Sequence, residues 1–361
     1  MKICLIGKNL SNLLLAKVLA NKNLNIDIIY NYEDKKRYIS RTIGISKSNY
    51  NFLLKNDKSM KIHSWPIEKI KIFNDKKNLK ESFEFNNKKK EIFFLIKYDE
   101  IYQHLNKSIK YNKNIKFTKL NNKKNENYFI NNDKYNLIIN SDVNSQVSKK
   151  FFQKKVEKNY YSIAYASIIN HKKIKNNVAI QIFTKFGPLA FLPLSNTKTS
   201  IVFSVLNKTK KNSKQIINLI KKFNLNYKII KFEEFEKFNL KFSMLRNYYF
   251  KNILCFGDLL HKIHPLAGQG FNMTIRDTEI LSNLIEEKIK LGLDLDNSIL
   301  EDFEKKNKHL NYLFGYGVDL IYEFFKTDNK FNNIFSSSLF NLFKKQKFIN
   351  KYATYFADKG I

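Results

Sequence analysis

Apolar positions change their period twice within the first thirty residues. Lys2-Ile3-Cys4-Leu5-Ile6 is an almost unbroken apolar run that stops at Gly7. Leu10, Leu13, Leu14, Val18 and Leu19 then recur at near-helical spacing, and Ile26-Asp27-Ile28-Ile29-Tyr30 returns to a short run. Runs of this length bounded by a breaker predict buried strands, and the three-to-four spacing between them predicts a helix. A nucleotide-binding fold opens with this β-α-β order. Further on, 92–109 predicts a strand leading into a helix, and Leu137-Ile138-Ile139-Asn140-Ser141-Asp142 predicts a buried strand ending in an acid. From 159 to 246 the pattern turns strand-rich, with runs at 161–169, 178–183, 189–194 and 200–205 and a turn predicted at Gly187-Pro188. Asn252-Ile253-Leu254-Cys255-Phe256 predicts a last strand, followed by a helix opening near Phe271 that carries Arg276 and Asp277. Residues 297–361 predict helices rich in aromatic side chains.

The segment joining that last strand to its helix carries the most chemistry. It reads Gly257-Asp258-Leu259-Leu260-His261-Lys262-Ile263-His264-Pro265-Leu266-Ala267-Gly268-Gln269-Gly270-Phe271-Asn272. The strand end delivers one carboxylate, Asp258, at a fixed place. The glycines admit a flat or phosphorylated ligand close to the backbone, and the helix start turns free N–H groups and a positive dipole end toward it. These features predict a cofactor site.

The amino-terminal nucleotide fingerprint departs from its usual form. The standard motif has Gly at the places held here by Gly7, Asn9 and Asn12, with an acid ending the second strand where Tyr30 stands. Asn tolerates left-handed backbone, so the turn at Asn9 is expected to survive. Asn12 brings a Cβ and an amide to a place of close helix–strand packing. Tyr30 removes the usual ribose acceptor, for which Asn31 offers a neutral substitute.

The 257–277 segment resembles the second FAD motif of the aromatic-ring flavin hydroxylases, and within them most resembles the ubiquinone-biosynthesis branch. That branch follows roughly G-D-A-A-H-x-x-H-P-x-x-G-Q-G-x-N-x-x-x-x-D. Gly257, Asp258, His261, His264, Pro265, Gly268, Gln269, Gly270, Asn272 and Asp277 all fall on it. The resemblance implies that Asp258 binds a ribityl hydroxyl of FAD. It also implies that Gly268, Gln269, Gly270 and the helix start at Phe271 and Asn272 face the pyrophosphate and the flavin N1–C2=O edge. Arg41-Thr42-Ile43-Gly44-Ile45-Ser46 resembles an R-x-x-A-L-S segment whose Arg lies near the cofactor. Gln181-x-Phe183 followed by Gly187-Pro188-Leu189-Ala190-Phe191-Leu192-Pro193-Leu194 resembles the sheet that roofs the family's substrate pocket, and 319–325 resembles its carboxy-terminal segment. Asn140 to Ser148 stands where the family has G-A-D-G-x-x-S-x-V-R. Asp142 is kept, while the following Gly has become Val143 and the Arg is gone.

The implied fold is α/β, a Rossmann-like FAD-binding domain interleaved with a β-sheet substrate domain in the manner of p-hydroxybenzoate hydroxylase, with a helical carboxy terminus. The expected division is 1–61, 92–158 and 247–300 for FAD, 62–91 and 159–246 for substrate, and 301–361 for the carboxy-terminal helices. The implied activity is an FAD-dependent monooxygenase that hydroxylates the ring of a polyprenylated phenol or quinol of ubiquinone biosynthesis through a flavin C4a-hydroperoxide. Its co-substrates would be O2 and NAD(P)H or another electron donor. Cofactor contacts are expected at Gly7, Asn9, Asn12, Arg41, Asp258, Pro265, Gly268, Gln269, Gly270, Phe271 and Asn272, and no residue stands out as the catalytic base. The rival is a flavin-poor structural subunit of a ubiquinone-biosynthesis complex, in contact with other proteins of that pathway.

Composition alters this picture little. The formal net charge of +33 would suit nucleic acid or anionic lipid. However, lysines are dispersed along the chain, Lys, Asn, Ile, Phe and Tyr are enriched together as AT-rich coding favours, and no nucleic-acid motif appears. Nucleic acid is therefore not expected as a partner. A peripheral contact with anionic membrane stays open, because the implied substrate is lipid-soluble and Phe331–Phe348 interleaves aromatics with Lys344, Lys345 and Lys347. No stretch reaches the roughly 20 apolar residues that span a bilayer. The expected location is cytoplasmic, with a peripheral position on the inner face of the cytoplasmic membrane as the alternative. Cys4 and Cys255 lie in apolar runs and are expected to be buried, reduced thiols. His261 and His264 are spaced i, i+3 but lack a third ligand, so they are expected to hydrogen-bond the loop and hold no metal.

Overall fold

The computed structural model describes residues 1–31, 40–75, 81–86, 91–120, 134–206, 211–264 and 270–328. The opening β-α-β unit consists of β1 (Lys2–Ile6), α1 (Leu10–Ala20) and β2 (Asn25–Tyr30). Strand β1 runs parallel to β2 on one side and to Leu137–Asn140 on the other. Ile3, Leu5, Leu137, Ile138 and Ile139 are fully buried. Strands covered on both faces need no polar alternation, which explains the unbroken runs in the sequence. Every residue of α1 except Lys17 is buried as well, so this helix lies inside the fold.

Among the described residues, three sheets make up the architecture. The first has six strands, in the order β16-β17-β9-β1-β2-β8. Its further members are β8 (Ile115–Lys119), β9 (Leu137–Asn140), β16 (Tyr249–Phe250) and β17 (Ile253–Cys255). A three-stranded sheet joins β3 (Thr42–Ser46), β7 (Phe93–Lys97) and β4 (Trp65–Ile67). The third has nine strands. Its main path consists of β18 (His261–Lys262), β15 (Glu236–Leu245), β10 (Lys155–His171), β13 (Lys198–Leu206), β12 (Gly187–Pro193), β11 (Val178–Thr184), β5 (Lys69–Asn74) and β6 (Glu81–Asn86), with β14 (Ile229–Phe232) beside β10. Strands β11 and β12 form the hairpin expected at Gly187-Pro188, with Thr184 opposite Gly187. The charged stretch at 88–90, expected to be a hairpin tip, lies outside the described residues.

Seven helices are described. Beyond α1 they are α2 (Lys47–Asn56), α3 (Tyr98–Lys110), α4 (Gln146–Phe151), α5 (Ser213–Phe223), α6 (Gly270–Lys290) and α7 (Ser298–Asp328). Helix α5 interrupts a region whose sequence suggested strands. Its Ile216, Ile220 and Phe223 recur at helical spacing and pack onto the nine-stranded sheet, while Asn212 and Gln215 close a reciprocal cap at its start. Burying each of those three side chains contributes about 1.5–3 kcal/mol.

Helix α7 spans both halves of the molecule. Ile299, Leu300 and Phe303 join the core around the six-stranded sheet. Phe314, Val318 and Tyr322 instead pack with Tyr160, Phe242 and Met244 of the nine-stranded sheet. The aromatic and lysine-rich stretch at 331–348 lies outside the described residues. Cys4 and Cys255 are free and buried, and burial pushes both thiols above their ordinary range. Among the described residues, no helix is long and apolar enough to cross a membrane.

Candidate cofactor site

A cavity of about 450 Å³ lies where the three sheets meet. Gly7, Asn9, Ser11, Ser141, Asp142 and Asp258 line one side, from the ends of β1, β9 and β17 and the first turn of α1. Across from them, Ala164, Ala166, Val202, Phe238 and Leu240 present the face of the nine-stranded sheet. Arg41, Thr42, Gly270 and Phe271 also line it. Small-molecule sites typically enclose about 300–1,000 Å³ with apolar walls and a few placed polar groups, and this one fits both criteria.

The first turn is built by side chains as much as by glycine. Gly7 has φ of +101°, and a Cβ there would come within 3.0 Å of the Asp142 Cβ. Asn9 is extended, with φ of −125°, so the expected left-handed turn at this position is not found. It serves instead as the α1 N-cap, its Oδ1 accepting from the Asn12 N–H at 3.2 Å. Its Nδ2 donates to the Ser141 carbonyl and hydroxyl at 3.1 and 2.8 Å. Asn12 is buried and is not among the residues lining the cavity, and its Nδ2 donates to the carbonyls of Ile6 and Gly7 at 2.9 and 2.8 Å. The amide therefore holds strand to helix where a glycine would simply leave room. Asn12→Gly, which restores the standard motif letter, is expected to lower stability by about 1–3 kcal/mol through loss of both bonds. Urea unfolding checks this, and a neutral or stabilising effect would show that the amide bonds contribute nothing.

The second turn brings the carboxylate. Gly257 has φ of +61°, and any Cβ there would meet the Ser11 Oγ at 2.3 Å. Backbone and helix are thus in direct contact, and Asp258 emerges into the cavity beside them. Arg41 stacks its guanidinium on the Tyr98 ring, 4.7 Å from the centroid. Lys8 sits over the rings of Tyr30 and Phe117, beside the place an acid usually occupies.

Other expected contacts lie elsewhere. Asn272 is buried and ties α6 to its neighbours, accepting from the Ser46 N–H at 3.0 Å and donating to the Gly44 carbonyl at 2.9 Å. Pro265, Gly268 and Gln269 lie outside the described residues. His261 lines the cavity and hydrogen-bonds through Nε2 to the Asp277 carboxylate at 2.7 Å, which joins β18 to α6. His264 lies between the rings of Tyr160 and Tyr322, with centroids 5.0 and 4.3 Å away. Neither of its nitrogens has a hydrogen-bond partner, and burial pulls its pKa down to about 3. His264 thus lacks the expected loop bond, and His261 is bonded to α6.

The sequence pointed to neither Ser11, Thr42, Tyr98 nor Ser141. Only Ser141 carried a signal, as the neighbour of Asp142 at a strand end. The residues present suit FAD. A tight turn, the start of α1, the Asp258 carboxylate and the start of α6 share one cavity, and the Gly7 and Gly257 turns admit no side chain.

Residues 141–295 match the FAD binding domain family. Several of the relatives matched over parts of their length are ubiquinone-biosynthesis enzymes. The ubiquinone biosynthesis monooxygenase COQ6 of Dictyostelium discoideum is 28% identical over 199 residues, covering 45% of this chain and 39% of that protein. The chain is thus similar to FAD-dependent hydroxylases over part of its length. The ubiquinone hydroxylase UbiL of Rhodospirillum rubrum is 24% identical over 183 residues, covering 47% of this chain and 41% of that protein. The chain thus spans less than half the length of either of these two relatives. Among solved structures, p-nitrophenol 4-monooxygenase PnpA from Pseudomonas putida superposes with a TM-score of 0.79 at 10% identity, covering 99% of this chain and 97% of that one. PqsL from Pseudomonas aeruginosa, a probable FAD-dependent monooxygenase, gives 0.74 at 11% identity, covering 94% of this chain and 99% of that one. These two likenesses establish the flavin-monooxygenase fold over nearly all of this chain.

Proposed function

We propose that this protein is an FAD-dependent monooxygenase that hydroxylates the aromatic ring of a polyprenylated phenol or quinol of ubiquinone biosynthesis. The observation that carries the reading is the two-sided cavity. Its polar side has the turns and carboxylate of a dinucleotide site, and its other side is the apolar face of the nine-stranded sheet. A cofactor and a ring would therefore meet in one enclosed space. The COQ6 and UbiL relatives supply the substrate class.

FAD, when bound, supplies the electron transfer and oxygen activation that ring hydroxylation needs. The chain's own residues do the placing. Asp258 would accept from a ribityl hydroxyl. The start of α6 turns its positive dipole end toward the cavity, where it favours negative charge by about 0.3–1 kcal/mol, and by up to about 2 kcal/mol when partly buried. Ala164, Ala166, Val202 and Phe238 exclude water from the opposite side. The electron donor is a reduced nicotinamide dinucleotide or another electron carrier.

The test is the visible absorption spectrum of the purified protein before and after FAD is added. A bound-flavin spectrum is expected, followed by bleaching with NADH, NADPH or reduced ferredoxin. A colourless protein that ignores excess FAD would leave the non-catalytic subunit as the better reading.

A further inference from the structure

Unsatisfied polar atoms lie at one edge of the apolar wall that the nine-stranded sheet presents to the cavity, with Thr42 lining the cavity and the Glu236 Oε2 and Ser40 hydroxyl buried behind its margin. On β15, Glu236, Phe238 and Leu240 alternate onto the same face, and the last two line the cavity. Across the sheet, Ala166 pairs with Glu236 on one side and with Val202 on the other, and both Ala166 and Val202 line the cavity. The Glu236 carboxylate therefore stands at the end of the row formed by small apolar cavity residues. Its Oε1 accepts from the Ser40 N–H at 3.3 Å. Its Oε2 is buried without a hydrogen-bond partner. The hydroxyls of Ser40 and Thr42 are likewise buried and without partners, and Thr42 itself lines the cavity. Ser40 is 2% exposed and Thr42 6%.

Buried polar groups are normally paired, and a carboxylate oxygen is among the costliest to leave bare. Other polar groups on this face are already engaged. The Gln181 amide donates to the Leu189 carbonyl at 3.2 Å, and the Ser200 hydroxyl donates to the Ser40 carbonyl at 3.5 Å. No cation lies within 4.0 Å of Glu236 among the described residues. What remains is one strong acceptor beside two hydroxyls that can donate or accept, at the margin of a surface suited to a hydrocarbon ring. An O–H on an aromatic ring satisfies the acceptor, and its oxygen can accept in return from a hydroxyl.

We infer that Glu236, with Ser40 and Thr42, forms the subsite that recognises the ring hydroxyl of the substrate, holding the ring in one orientation against Ala166 and Val202. The inference rests on the proposed activity for its substrate class. No proton is fully transferred: the carboxylate accepts a hydrogen bond from the phenol, which increases electron density on the ring. Glu236 is thus a specificity-determining residue distinct from the Asp258 side of the cavity.

The test compares 2-prenylphenol with its methyl ether, which lacks the donor, by titration calorimetry on FAD-loaded protein. The wild type is expected to prefer the phenol by about tenfold or more, and Glu236→Gln to reduce that preference to within about twofold. The Gln variant keeps an acceptor for the Ser40 N–H, so its melting temperature is expected to stay close to that of the wild type. Equal affinity for phenol and ether in the wild type would overturn the subsite, as would an undiminished preference in Glu236→Gln. A fall in melting temperature with the preference intact would overturn it too, by showing that Glu236 only braces Ser40. Flavin loading is read first from the spectrum. A protein that takes no FAD would count against the proposed activity, while the phenol–ether comparison on that same protein would still decide the subsite.

Discussion

Asp277→Ala is expected to remove about 3–5 kcal/mol of folding stability, the usual cost of taking one partner from a buried charged pair. Asp277 is fully buried on α6, bonded to His261 at 2.7 Å and with the Arg276 guanidinium 4.0 Å away. Arg276 is itself mostly buried and donates to the Asn311 side chain. Without the carboxylate, the imidazole loses its acceptor and the guanidinium its nearest negative charge. Burial already lowers the Arg276 pKa, and Asp277 is the main group opposing that shift. Asp277→Asn keeps an acceptor for His261 and is expected to recover part of the loss. Urea denaturation of both variants measures this. Two midpoints within experimental error of the wild type would mean that the pair is not coupled to folding.

Asp258→Ala is expected to weaken FAD binding by about 10- to 100-fold, the effect of losing a hydrogen bond to a charged group. Asp142→Ala is expected to do far less, although both carboxylates line the cavity. The difference lies in prior engagement. Asp142 Oδ1 already accepts from the Asn144 N–H at 2.8 Å, which closes its own loop. Asp258 follows the turn at Gly257, is exposed and lines the cavity, within reach of a ligand hydroxyl. Flavin retained per mole of protein after gel filtration separates the two variants. Equal retention would count against Asp258 as the ribityl ligand.

Local pattern and spacing made the nucleotide-binding half legible, because its signals are short-range. The runs of β1, β2 and β9 are apolar throughout because both faces are covered, and the 257–277 segment is contiguous in sequence. Arg41 could be placed near the site through the resemblance of its segment to the family's R-x-x-A-L-S run. Contacts between distant segments were not legible. Nothing local announces that β5 runs parallel to β11, or that Trp65–Ile67 leaves the nine-stranded sheet to pair with Phe93–Lys97. Asn9 and Asn12 looked like losses because the standard motif describes space, whereas these residues replace space with hydrogen bonds to Ser141, Ile6 and Gly7. Glu236 carried a faint signal, an acid in the inward register of an alternating strand. The unpaired oxygen that gives it meaning appears only when Ser40, nearly two hundred residues away in sequence, is brought beside it.

Helix α7 contains 31 residues, which corresponds to about 46 Å of rise. One end is embedded in the core behind the dinucleotide turns and the other in the core behind the nine-stranded sheet. A rod fixed at both ends couples the two halves, since neither can melt without freeing the apolar face that covers the other. Free energy released by a ligand in the polar half is therefore shared with the nine-stranded sheet, and cofactor occupancy is expected to make the whole molecule, including that sheet, more resistant to unfolding.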